Sequence, residues 1–211
     1  MVNRKKYLQY ALILSIITII YNIAEGFFSI ILGFTDETLT LFGFGVDSIV
    51  EVISGTGILH MLLRMQKSEI SEHSRFERQA LYITSLSFFI LACGLITGSV
   101  IIFFQKHKPE TTLAGIIISS ISIITMLVLM LLKLKTGKAL NSDAIISDAK
   151  CTRTCFYLSF ILLGSSLIYE LFGITFIDSV GSIGIAVFAF KEGIEAFQKA
   201  KSGKIECLCE N

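Results

Sequence analysis

Apolar residues fall in six long blocks along the chain, at about 8–33, 39–63, 80–104, 112–132, 143–169 and 174–197, separated by short polar breaks. Each block has roughly the 20 residues an α-helix needs to cross the hydrocarbon core of a bilayer. A spanning segment must satisfy its own backbone N–H and C=O groups, and a helix does so internally. The pattern predicts an all-α polytopic membrane protein: a six-transmembrane-helix bundle over 1–200, then a short cytoplasmic cysteine-containing tail over 201–211. Of 211 residues 53% are hydrophobic, and the mean hydropathy is +0.74. A soluble domain of this length is not so apolar.

A formal net charge of +1 says little about partners and gives no reason to expect nucleic acid. The distribution of charge says more. With the N-terminus inside, the cytoplasmic side carries Arg4, Lys5, Lys6, Arg64, Lys67, Arg75, Arg78, Lys133, Lys135, Lys138, Lys199, Lys201 and Lys204, and the other side only Lys106 and Lys108. That asymmetry predicts both termini in the cytoplasm. The first block is too long for a signal-peptide core and has no small-residue cleavage site, so it is expected to stay. The absence of targeting signals favours the plasma membrane, with lipid as the main surrounding partner. The charged stretch 64–79 is expected to continue helix 2 or helix 3 as a solvated face.

Polar residues inside the blocks carry the chemistry. Asp47 and Glu51 stand at i, i+4 in the second block, and Asp148, Cys151 and Cys155 lie within an arc of about 60° in the fifth. An acid at a bilayer centre costs roughly 2.5–3.5 kcal/mol on insertion scales, so one retained there marks an ion or substrate path. Two such faces on antiparallel helices supply four or five converging ligands, a faint sign of an internal repeat. Mixed carboxylate and thiolate donors suit Zn²⁺, Cd²⁺, Co²⁺ or Fe²⁺ better than Mg²⁺ or Ca²⁺. The competing reading makes the acids structural hydrogen-bonding groups and the cysteines packing residues. Asn22 and Glu25 are candidates for the ion path. Asp178, at the start of the sixth block, is expected to favour the positive end of its own helix.

Other features are weaker. Lys150 and Arg153 sit among the proposed ligands and are expected to snorkel or to pair with acids such as Glu25. The five cysteines fit no disulfide framework, and Cys93 reads as a small buried hydrophobe. Cys207 and Cys209, flanked by Glu206 and Glu210, are candidates for transient capture of a soft metal, with lipidation or no role as alternatives. Gly94 and Gly98 form a G-x-x-x-G, a route to close helix approach and a candidate homodimer contact. His60, His73 and His107 show no ligand spacing.

Together these features resemble the cation diffusion facilitator, or cation efflux, family of metal/proton antiporters. Ala144-Ile145-Ile146-Ser147-Asp148-Ala149-Lys150-Cys151-Thr152-Arg153-Thr154-Cys155 is similar to that family's Ala-Leu-x-Ala-Asp-x-x-His-x-x-x-Asp, with cysteines in the two ligand places. Asp47 and Glu51 fall on the ligand places of helix 2. Asp178-Ser179-Val180-Gly181 and the run to Lys191-Glu192-Gly193 resemble the sixth helix. The resemblance implies a transporter rather than an enzyme, with no resident cofactor. It further implies export of a divalent transition-metal cation such as Zn, Co, Fe or Cd, with protons taken in return. It also implies a short form without the family's C-terminal cytoplasmic domain; with no histidine ligand on either helix, the metal preference of better-known members does not transfer. Two other functions fit the residues: a non-transporting membrane metal sensor or accessory protein, and a proton-coupled exporter of organic cations.

Overall fold

The computed structural model describes residues 4–36, 38–66, 75–105, 112–140, 143–174 and 176–202. They form six helices: α1 (Arg4–Thr35), α2 (Leu39–Gln66), α3 (Arg75–Gln105), α4 (Leu113–Leu140), α5 (Asp143–Phe172) and α6 (Ile177–Ser202). There is no strand among the described residues. The six blocks and their order match the hydropathy pattern, but most helices run past their apolar blocks. Both α2 and α3 extend into the charged stretch between them, and the rest of that stretch lies outside the described residues.

The bundle is apolar outside and polar inside. Ile20, Phe27, Leu86, Ile90, Ile124 and Leu171 are exposed, whereas Asn22, Glu25, Asp47, Ser122, Lys133 and Ser159 are buried. In water this would be an inverted protein; in lipid the outer shell faces its own kind, and the polar groups inside need partners from neighbouring helices. The main apolar cluster sits between α2, α3, α5 and α6, with Leu41, Phe44, Leu91, Leu158, Leu162 and Ile185 at its centre.

The helices pair as α1 with α2, α3 with α6, and α4 with α5. Small residues permit the first pairing. A Cβ on Gly33 would stand 2.5 Å from the backbone N of Phe42, so no side chain fits there. At Gly173 (φ 63°) the chain leaves α5, and its N–H donates to Tyr169 O at 2.8 Å, a left-handed helix end that suits glycine. The sequence points to Gly94 and Gly98 instead. A Cβ added at Gly94 would have nothing within 4 Å, and one at Gly98 would meet only the flexible side chain of Leu39. Cys93, expected to be buried, is exposed on the same helix.

Five helices are long and apolar enough to cross a membrane by themselves, and α6 is not one of them. It carries Asp178, Lys191, Glu192, Glu195, Lys199 and Lys201. It packs on α3 at Gly193, where a Cβ would meet Phe88 and Phe89, while Gly181 faces Ser165 of α5 and Thr40 of α2. Two polar contacts fasten the pair: Ser85 Oγ donates to Gly193 O at 2.8 Å, and Ser99 Oγ lies 2.6 Å from Ser182 Oγ.

Asp178 has a role beyond its own helix. Its carboxylate accepts from the backbone N–H of Leu39 at 2.9 Å and of Thr40 at 3.1 Å, and Thr40 Oγ1 donates to Asp178 O at 2.6 Å. It stands in the first turn of α6, as expected, and it also caps the first turn of α2, tying two helix starts together.

Candidate functional site

The close α1–α2 pairing lays Asn22 and Glu25 against the face of α2 that bears Asp47, Ser48 and Glu51. Asn22 Nδ2 donates to Glu51 Oε2 at 3.0 Å. Tyr21 Oη and Ser48 Oγ donate to the two oxygens of Glu25, at 2.9 and 3.0 Å. From α5, the Cys155 thiol donates to Glu51 Oε2 at 2.5 Å. Helices 2 and 5 thus meet, and an acid and a thiol touch where they do. Asp47, 2% exposed, lies within electrostatic reach of Glu51, Glu25 and Cys155.

Two further helices close the site. On α4, Lys133 is 2% exposed, and its Nζ donates to Thr152 Oγ1 at 3.0 Å. On α6, Glu192 Oε1 accepts from Thr154 Oγ1 at 2.8 Å. Asn22, Glu51, Lys133, Thr152 and Glu192 line one cavity of about 40 Å³. That holds a dehydrated ion or a water or two, and not a drug-sized molecule. Ser54, Gly55 and Ile58 also line it, so it runs from Glu51 towards the C-terminal end of α2. On the other side of Glu51, Phe44, Leu41, Leu158 and Leu162 are packed solid.

The arrangement joins part of the residue set singled out from the sequence. Glu51 and Cys155 are in contact, Asp47 is beside them, and Asn22 holds Glu51. Asp148 and Cys151 stand on α5, but their side chains lie outside the described set, as do those of Lys150 and the tail with Cys207 and Cys209. Among the described residues, no three His, Cys, Asp or Glu side chains converge on one metal position. Arg153 is exposed and is not among the groups that hold Glu25.

Lys133 corrects the charge reading most. Counted with the cytoplasmic cations, it is instead inside the bundle. The sequence does hold a signal: Ser119, Ser122, Met126, Leu129, Lys133 and Thr136 recur every three or four residues and form the buried stripe of α4. Ser48, Thr152 and Glu192 also escape the sequence reading as site residues. Each is a common residue whose place becomes clear only when helices face one another.

Residues 11–202 match the family described as the cation efflux transmembrane domain. An uncharacterized transporter of Methanocaldococcus jannaschii is similar to this chain, 28% identical over 182 residues; the match covers 83% of the chain and 63% of that protein. The chain thus spans less than two thirds of that relative's length.

Proposed function

The chain belongs to the cation efflux family, and on that premise we propose that it carries a divalent transition-metal cation across the membrane in exchange for protons. Membership in this family places it among transporters rather than enzymes. The observation that carries the metal reading is the contact of Cys155 on α5 with Glu51 on α2. Asp47 is the next ligand, and Asp148 and Cys151, one to two turns earlier on α5, complete the proposed set. Carboxylate with thiolate favours Zn²⁺, Co²⁺, Fe²⁺ or Cd²⁺ as cargo.

Exchange follows from ligand chemistry. Carboxylates and thiols coordinate metal after losing their protons, so loading releases protons and protonation releases metal. The cavity reaches Glu51 from the end of the bundle that holds the N-terminus of α1 and the C-terminus of α6, while the apolar cluster blocks the far side. With the termini in the cytoplasm, this is the loading state. Rocking of helices around a fixed site would then open the Leu41, Phe44, Leu158 and Leu162 side and close the other. The small cavity weighs against an organic cation as cargo.

The test is flux into liposomes that hold a pH-sensitive dye. Wild-type protein is expected to move Zn²⁺, Co²⁺ or Fe²⁺ with opposite proton movement, and Asp47→Ala to stop it. Flux of none of the metals, or equal flux in both proteins, defeats the proposal.

A further inference from the structure

A lysine in the last turns of a membrane helix ordinarily stretches to water. Lys135 and Lys138 do so and are exposed. Lys133 is turned inward, where burying an ammonium costs several kcal/mol unless charge and hydrogen bonds compensate. Thr152 supplies a hydrogen bond, and Glu51 lies within electrostatic reach. Glu192 lines the same cavity. A second observation points to a cation in this space. Asn22 lines the cavity and is 2% exposed; its Nδ2 is used on Glu51, yet its Oδ1 has no hydrogen-bond partner among the described residues. A buried carbonyl oxygen left without a donor normally costs about 1–3 kcal/mol. Beside two carboxylates, it is a ready ligand for a positive ion.

We propose that Lys133 is a tethered counter-cation: its ammonium balances Glu51 in the empty carrier, and an arriving dication loads by displacing it, with Asn22 Oδ1 joining the ligands. This rests on the metal reading given above. The arrangement selects by charge. A monovalent ion must compete with an equal charge that is covalently attached, and so present at high effective concentration. A dication has twice the attraction for the same acids and wins. The site therefore rejects Na⁺ and K⁺ by prior occupancy, without a size filter.

Co²⁺ binding to the purified full chain in nanodiscs, at fixed pH and ionic strength, tests this in wild type, Asp47→Ala, Lys133→Gln and Lys133→Arg. Lys133→Gln is expected to bind Co²⁺ at least about tenfold tighter, and replacing an inert organic cation by Na⁺ or K⁺ should weaken its binding. Wild type and Lys133→Arg should show neither effect. If Lys133→Gln is poorly folded, Lys133→Ala serves: its tighter Co²⁺ binding should be reversed by added ethylammonium. Lys133→Gln and Lys133→Ala binding Co²⁺ no tighter than wild type, while Asp47→Ala abolishes binding, would leave the metal site standing and overturn the counter-cation. Equal Co²⁺ binding by wild type and Asp47→Ala would overturn both.

Discussion

Asp178 and Asp47 are both buried acids, 3% and 2% exposed, in two differently built regions. At the end of the bundle where α2 and α6 begin, the donors to Asp178 are backbone N–H groups of α2, fixed in place by the helix itself. Nearby, Thr112 Oγ1 ties the start of α4 to Ser166 O and to Glu170. In the inner region the donors described for Glu25, Glu51 and Glu192 are a phenol, an amide, hydroxyls and a thiol. Those side chains rotate. An acid held by helix amides is locked into a joint, whereas one held by rotatable groups can exchange them for an ion. Burial alone does not separate the two regions; the donors described for Asp178 on one side and for Glu25, Glu51 and Glu192 on the other do.

The strongest way to break this contrast is to remove one acid from each region. Asp47→Ala should lower metal flux by more than about a hundredfold. Asp178→Ala should leave flux per folded molecule near wild type and cost about 1–2 kcal/mol of stability, as lost helix caps do, read by thermal unfolding in detergent. The reverse pattern would exchange the two roles. A smaller effect tests the thiol: Cys155→Ser should weaken Co²⁺ binding about 10–100-fold and remove the sulfur-to-cobalt charge-transfer band. Unchanged absorption would exclude Cys155 from the ligands. Apparent metal affinity should also fall as the pH is lowered, because protons compete for the same carboxylates and thiols. Isothermal titration in buffers of different ionisation enthalpy measures the protons released, and a release of zero would end the exchange mechanism. The least effect belongs to Gly94→Ala, expected to change stability by less than about 0.5 kcal/mol, because that methyl meets nothing.

The six helices and their order are readable because hydropathy reports directly on what must face lipid. The burial of Asp47 and Cys155 and the meeting of Glu51 with Cys155 are readable for the same reason, since these are polar groups where apolar ones are the rule. What escapes is what depends on facing partners. Proximity in sequence assigns Asp178 to its own helix, and does not reveal that it also receives the N–H of Leu39, 139 residues earlier. Positive charge near a helix end is usually solvated, and Lys133 breaks that rule; it is buried and donates to Thr152 across the α4–α5 contact. Gly94 and Gly98 make the expected close-packing motif, but the motif does not specify which helix comes near, and Gly33 is where backbone meets backbone.

The shortfall in hydropathy of α6 has a consequence for biogenesis. A segment carrying Lys191, Glu192 and Glu195 gains little by partitioning into lipid alone as it leaves the ribosome. Its polar contacts are made with α3, where Ser85 reaches Gly193 O and Ser99 meets Ser182. The sixth helix is therefore expected to need α3 for stable insertion, and replacing Ser85 or Ser99 by a bulky residue should lower the amount of inserted protein before it alters any transport by the molecules that do insert.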